Sequence, residues 1–382
     1  MRIPKLRFKE FSGEWEEKRL EELGIIGRGK SKHRPRDDKK LFGGKYPFIQ
    51  TGDIRNAGLF LNNYTQTYSD FGLEQSKLWK AGTLCITIAA NIAETSILNI
   101  DACFPDSIIG INVFNDKANN IFLKMYFDFK RRDFEKISEG LAQSNLNLDK
   151  LKSMFFKIPI IKEQEKIGNF LSSVDKKISI TEEKLNLFKE YKKGMMQKIF
   201  KQEIRFKDSN GNNYPEWEEK KLGDFYDFKY GQFNTNPSNG GEYPVYGASG
   251  VIGGYTSYNA EKSVIIGHMG AYAGSVLWEE KKHFVTYNGT ISKPKNEKGF
   301  DSKYGYYLLN SLNIMKICAG SGQPFLAYET LNKIKVKSSF IFEEQQKIAN
   351  LLSSIDNKIE NLSAELENLK LFKKGLLQKM FI

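Results

Sequence analysis

Residues 24–31 read GIIGRGKS and match the phosphate-loop pattern G-x-x-x-x-G-K-[ST], in which backbone amides and a lysine bind a nucleotide. That chemistry needs a buried strand before the loop and a helix after it. Residues 16–23 are mostly charged, and residues 32–40 are charged and interrupted by Pro35. The flanking sequence therefore argues against a nucleotide site. It leaves two interpretations, a basic loop that contacts phosphates and a solvated surface loop.

No other segment presents catalytic residues clearly. The chain has three histidines, His33, His268 and His283. They are not spaced as H-x-x-x-H, and the sequence has no C-x-x-C pair, so no metal site is predicted. The Asn/Asp-Pro-Pro-aromatic signature of adenine methyltransferases is also absent, because Asn236-Pro237 is followed by Ser238. In so charged a chain, a nuclease site made of two carboxylates and a lysine remains an alternative. The sequence favours a binding protein that is not an enzyme.

Composition indicates what such a protein would bind. The net charge is +12, which favours an anionic partner, either nucleic acid or a membrane surface, although a lysine-rich genome would produce the same excess. Three scattered cysteines imply no disulfide framework. No run approaches the roughly 20 apolar residues of a membrane span, so we expect a cytoplasmic protein without a membrane partner.

The chain contains an internal two-fold repeat. Residues 163–200 match residues 344–381 without a gap, and half of the positions are identical. Each half also begins alike, with WEEKRL at 15–20 and WEEKKL at 217–222. Between these ends the resemblance disappears. Each half therefore has a similar frame around a different interior.

The repeated segments predict two long helices that pair with each other. Apolar residues recur at alternating steps of four and three, which is the coiled-coil period, and 38 helical residues would extend about 57 Å. A parallel pair would place Lys192 opposite Lys373, whereas an antiparallel pair places each lysine beside an apolar residue near the start of the other helix. We therefore predict antiparallel pairing. The predicted seam consists of Ile167, Leu171, Val174, Ile178, Leu185, Ile348, Leu352, Ile355, Ile359 and Leu366.

The fold class follows from these elements. β-rich runs such as residues 83–88 and 263–266 alternate with Gly- and Asn-rich turns and with helical segments. We predict two globular domains of mixed α/β (α+β) structure that alternate with two long α-helices paired as an antiparallel coiled coil. The predicted boundaries are a first domain at 1–161, a central helix at 162–200, a second domain at 201–342 and a C-terminal helix at 343–382.

This order resembles the specificity subunits of type I restriction–modification enzymes. The resemblance rests on the E-Q-x-K-I…L-S-S-[VI]-D-x-K-I helices and on YPFI at 46–49 and YPVYG at 243–247. It implies two target-recognition domains, each reading one half of a split, asymmetric site in double-stranded DNA. The helices would set the gap and dock two modification subunits. Those partners would bring AdoMet, and restriction subunits would bring the nuclease and the ATP- and Mg-dependent translocase, so this chain would bind no cofactor.

Candidate DNA-binding residues follow from side-chain chemistry. In the first domain, five cations are suited to phosphates, and arginine is also suited to guanine; alternatively, they form a charged surface loop. These residues are Arg28, Lys30, Lys32, Arg34 and Arg36. The second domain offers an aromatic ring and amide side chains that match adenine edges; alternatively, these amides shape turns. The residues are Tyr230, Gln232, Asn234 and Asn236. Gln143 and Gln323 occupy equivalent places in the frame, and they contact DNA or tie the loop to the next element. The alternative function is an assembly scaffold whose coiled coil recruits partners while its heads bind something other than DNA.

Overall fold

The sequence repeat corresponds to two structural units, and each unit includes parts of both long helices. The computed structural model describes residues 3–89, 91–139, 147–233, 240–318 and 322–382. Unit 1 comprises Met1–Lys184 and Ser363–Ile382, and unit 2 comprises Leu185–Leu362. In the described part of the chain, no helix is both long and apolar enough to cross a membrane.

Among its described residues, unit 1 contains three sheets and five short or medium helices. Its strands β1 to β11 are Glu16–Arg19, Gly24–Arg28, Phe42–Phe48, Phe60–Leu61, Gln66–Tyr68, Leu78–Trp79, Leu84–Thr87, Thr95–Leu98, Ala102–Cys103, Ile108–Val113 and Phe155–Ile158. Its helices α1 to α5 are Leu20–Leu23, Thr51–Asn56, Asp70–Glu74, Asn120–Glu139 and Leu148–Ser153, with a 3-10 turn at Lys39–Leu41. The sheet orders are β1-β11, β2-β10-β7-β8-β4 and β5-β3-β9-β6. The predicted β-rich run at 83–88 contains β7, whose four residues are all buried.

A long helix, α6 (Ile161–Phe200), leads from unit 1 into unit 2. The strands β12 to β20 of unit 2 are Glu218–Lys221, Tyr226–Tyr230, Tyr243–Gly247, Gly250–Tyr255, Ser263–Gly267, Val276–Glu279, Phe284–Val285, Gly289–Pro294 and Lys335–Ser338. Its helices α7 to α10 are Leu222–Phe225, Ser302–Ser311, Tyr328–Lys333 and Phe342–Met380, with a 3-10 turn at Ile314–Ile317. The sheet orders are β12-β20, β13-β19-β16-β17 and β15-β14-β18.

The repeated frame is a pair of strands that joins the beginning and the end of each half. In unit 1, β1 pairs antiparallel with β11, with Glu16 opposite Ile158. In unit 2, β12 pairs antiparallel with β20, with Glu218 opposite Ser338. A long helix starts directly after each pair. The frame therefore fixes where each long helix leaves its globular part, whatever interior lies between.

The E-Q motif of the two long helices is structural. Glu163 is buried and accepts hydrogen bonds from Nε and Nη2 of Arg7, both at 2.8 Å. Its counterpart Glu344 is buried and accepts from Nε1 of Trp217 at 3.1 Å. A buried carboxylate without such donors would be costly. The neighbouring buried Gln164 accepts from the Asn119 amide and donates to two carbonyls. These side chains attach the helix to the frame.

Within each unit, the end of one long helix lies beside the start of the other. In unit 1, Leu376 and Met380 of α10 share the core with Ile167 and Leu171 of α6. In unit 2, Ile199 of α6 shares the core with the start of α10. The antiparallel pairing is confirmed. Eight of the predicted seam residues are buried, namely Ile167, Leu171, Val174, Leu185, Ile348, Leu352, Ile355 and Leu366, whereas Ile178 and Ile359 are partly buried.

The two seam lysines also have charged partners, which the sequence analysis did not predict. Nζ of Lys373 meets Oδ1 of Asp175 at 2.7 Å in unit 1. In unit 2, Nζ of Lys192 meets Oδ1 of Asp356 at 2.5 Å. Both aspartates belong to the L-S-S-[VI]-D motif, so the repeat forms the same ion pair twice. These side chains are only about one-fifth exposed, and an ammonium group in such a place needs a counter-charge.

Candidate nucleic-acid interface

The segment that matches a phosphate loop folds mainly as a strand. Residues 24–28 form β2, which pairs with β10, so the expectation of a loop is wrong for these residues. Beyond the strand, the amide of Gly29 donates to Ile108 O at 2.9 Å, and the amide of Lys30 donates to Phe104 O at 3.0 Å. The next helical element is only the 3-10 turn at Lys39–Leu41. Two of the amides that would cradle a phosphate, those of Gly29 and Lys30, are therefore already bonded, and in the described part of the chain no α-helix begins directly after the segment.

This geometry gives a first prediction. We expect the purified chain to hydrolyse ATP at no more than background rate, and Lys30→Ala to change neither this rate nor nucleotide binding. Lys40→Ala, another exposed lysine just outside the motif, is the matched control. A radiolabelled-ATP assay and binding of a fluorescent ATP analogue would measure both. Hydrolysis that disappears in Lys30→Ala but persists in Lys40→Ala would contradict the prediction.

The five predicted cations of the first domain are all exposed, and the protein engages two of them. Arg28 ends β2, and Lys30, Lys32, Arg34 and Arg36 follow in the next segment. Nη1 of Arg34 donates to the carbonyls of Ser31 and His33, both at 2.8 Å. Nη2 of Arg36 pairs with Oδ2 of Asp106 at 3.0 Å. Their contact with DNA stays a prediction.

Lys77 adds a cation that sequence reasoning missed. It is exposed, and its Nζ lies 3.7 Å from the centroid of the Trp79 ring. The Lys32 ammonium lowers the pKa of Lys30, and the charge of Lys77 lowers it further. The three ammonium groups therefore repel one another in the free protein, and bound phosphates would relieve this repulsion. Lys77 belongs to another segment of the chain, so no local pattern joins it to Lys30.

A cleft of about 500 Å³ lies next to these cations in unit 1. Ser31 and Arg36 line it together with Gln50 and Gln66. Nε2 of Gln50 donates to Oε1 of Gln66 at 2.6 Å, which orients both amides. Amide side chains suit adenine edges, so these glutamines join the candidate readers. The only sequence signal was that Gln50 directly follows the YPFI motif.

The predicted residues of the second domain lie around the end of β13. Tyr230 ends this strand, and its ring centroid lies 4.2 Å from that of His268 and 4.9 Å from that of Tyr328. The backbone amide of Gln232 donates to Val285 O at 2.9 Å, and its side chain is exposed. Three further candidates lie outside the described residues, namely Asn234, Asn236 and Gln143.

Gln323 is exposed and lines a hollow in unit 2. Met269, Tyr272, Tyr287 and Asn288 line the same hollow. Residue 286, next to Tyr287, forms a bridge with Gln232, so the two glutamines border connected segments. Within the described residues, the side chain of Gln323 shows no hydrogen bond that would tie the loop. Sequence reasoning missed these four residues because they lie in two segments that are distant from Gln323 along the chain.

Comparisons with known proteins match nearly the whole chain. The family model described as "Type I restriction modification DNA specificity domain" matches residues 12–190 and 214–371. The Type I restriction enzyme MjaVIII specificity subunit of Methanocaldococcus jannaschii is 23% identical, over 97% of this chain and 94% of its own length. The EcoprrI specificity subunit of Escherichia coli is 22% identical, over 87% and 86%.

Solved structures share the fold. The type I restriction–modification S subunit of M. genitalium superposes with a TM-score of 0.71 at 19% identity, covering 100% of this chain and 99% of that one. A chain from a structure on complex assembly and conformational transition of the type I system has a TM-score of 0.54 at 14% identity, covering 96% and 97%.

Proposed function

This chain belongs to the family of type I restriction–modification specificity subunits, and we propose that it reads a bipartite, asymmetric site in double-stranded DNA. One target-recognition domain, at 1–161, would read one half-site, and the other, at 201–342, would read the second. The observation that supports this most directly is that one repeated frame carries two different surfaces. Unit 1 presents the cluster of Lys30, Lys32 and Lys77, and unit 2 presents amides and aromatic rings.

Two surfaces on one frame suit a split site because base edges are read by individual side chains. A shared frame keeps each domain in the same relation to its long helix, while a different interior changes the bases recognised. Phosphate contacts position a protein on DNA but carry little sequence information. In this proposal the cations of unit 1 position the protein, and side chains such as Gln50 and Gln323 read bases.

The paired helices would act as the ruler and as a docking surface. This proposal is supported by two observations: the helices pair antiparallel within each unit, and the same two helices enter both units. We propose that two modification subunits dock there, and that restriction subunits join the complex. AdoMet would bind to the modification subunits, and ATP and Mg to the restriction subunits. This chain would contribute recognition and no catalytic residue.

A charge-removal experiment tests DNA binding. We expect Lys30→Ala, Lys32→Ala and Lys77→Ala together to weaken binding of random duplex DNA more than about tenfold, in complex with the modification subunits. The slope of log affinity against log salt should fall by about three, because each lost phosphate contact retains roughly one counterion. Filter binding over a salt series measures both quantities.

The control removes the same charge elsewhere, through Lys281→Ala, Lys298→Ala and Lys316→Ala, which are exposed lysines of unit 2. Equal losses in both triple variants would mean that net charge alone governs binding and that the cluster has no special role. A complex that binds no duplex DNA at any salt concentration would instead favour the assembly scaffold.

A further inference from the structure

The hollow in unit 2 has an unusual combination of side chains for a protein surface that meets DNA. It measures about 380 Å³, and none of its described lining residues is charged. Ile252, Met269 and Tyr272 line it and are 40%, 39% and 55% exposed. The amide side chains of Asn288 and Gln323 stand beside them.

Backbone hydrogen bonds hold the walls of this hollow together. The amide of Gly270 donates to Pro324 O at 2.9 Å, and the amide of Leu326 donates to His268 O at 2.9 Å. The amide of His268 donates to Asn288 O at 2.7 Å. Three distant segments are thereby fixed side by side, so the exposed side chains stand on a preorganised support. A surface that discriminates ligands by shape needs this support, because a mobile one adapts to several ligands.

The chemistry of the hollow selects among the features of DNA. Cations are the main partners of DNA phosphates, and arginine or lysine is the commonest partner of guanine, but the described lining of this hollow contains neither residue. An amide side chain can donate a hydrogen bond to N7 of adenine and accept one from its N6 amino group. The thymine methyl group is recognised by an apolar side chain. Amides next to exposed apolar side chains therefore match the major-groove edge of an A·T pair.

We propose that unit 2 reads an A·T pair in its half-site, with the Gln323 amide on the adenine and Met269 and Ile252 against the thymine methyl group. This inference rests on the proposed function and adds the class of base pair.

Replacing thymine by deoxyuridine tests the methyl contact without changing the protein. The substitution removes the methyl group and keeps the hydrogen-bonding edge. In the complex with modification subunits, deoxyuridine in the half-site of unit 2 should weaken binding about fourfold for each methyl group contacted. Deoxyuridine in the gap between the half-sites is the control and should change nothing.

Two protein variants complete the test. Met269→Ala should weaken binding to the thymine duplex and remove its advantage over the deoxyuridine duplex, whereas Met315→Ala, an exposed methionine of unit 2 outside the hollow, should do neither. Gln323→Ala should lower discrimination at one base pair about tenfold or more.

The outcomes separate the inference from the proposed function. If wild-type binding is specific but insensitive to deoxyuridine, and Gln323→Ala keeps the same base preference, the A·T assignment is wrong and the bipartite reading survives. If the wild-type complex does not distinguish its target from random duplex DNA, both are wrong.

Discussion

A chimera in which residues 1–161 come from a relative with a different first interior will methylate DNA at a site with one half-site changed. The other half-site and the gap will stay as they were. The reason is that the interior of unit 1 has its own sheets and core, while its frame is shared with unit 2. Sequencing of genomic methylation in a host that carries the chimera with its modification subunits measures the result.

The donor of the exchanged region must satisfy one packing requirement. Phe381, which directly follows α10, belongs to the core of unit 1, and its ring centroid lies 5.2 Å from that of Phe122 and 6.3 Å from that of Trp15. A donor with small side chains at positions 15 and 122 would leave a cavity beside Phe381, and replacing a buried phenylalanine or tryptophan by alanine costs about 3–5 kcal/mol. A relative that keeps both aromatic residues gives a fair test.

The reciprocal exchange of residues 201–342 is the control, and it should alter the other half-site only. If either exchange changes both half-sites together, the two domains do not read DNA independently. A chimera that folds, binds the modification subunits and still methylates the original site would place base recognition outside the exchanged region.

Adding seven residues to each long helix will widen the gap between the half-sites by about three base pairs. Seven helical residues add about 10 Å, and one base pair rises about 3.4 Å. The insertions belong after Lys184 and after Leu362, where the chain passes from one unit to the other. The ion pairs Lys373–Asp175 and Lys192–Asp356 then remain within their own units. A heptad also keeps the apolar seam on the same helix face.

Shorter or unequal insertions are the controls for this experiment. Two extra residues turn the seam by about 200°, which should destabilise the protein, and a heptad in one helix alone should shift the pairing register. Because a longer gap also rotates one half-site around the DNA axis, the informative variant is one that remains active. An active double-heptad variant that methylates sites with the original gap would show that the helices serve assembly and do not set the spacing.

The sequence by itself determined the architecture at large scale. The repeat, the two long helices and their antiparallel direction follow from periodic apolar residues and from two lysines at equivalent positions. Such signals are local. A helix forms through residues that are neighbours in the sequence, and it pairs through apolar residues that recur at the helical period. For the same reason the basic stretch from Arg28 to Arg36 was found as a group, and all five of its cations are exposed.

Only the tertiary structure decided which distant residues share a surface. It turned residues 24–28 into a strand, because β10 offers the hydrogen-bonding partner that no local pattern contains. It placed Asp175 at Lys373, brought Lys77 to Lys30, and assembled the hollow around Gln323 from separate turns. Each of these contacts joins segments whose separation along the chain carries no periodic signal. Their positions depend on how sheets and helices pack, which is decided by the whole core.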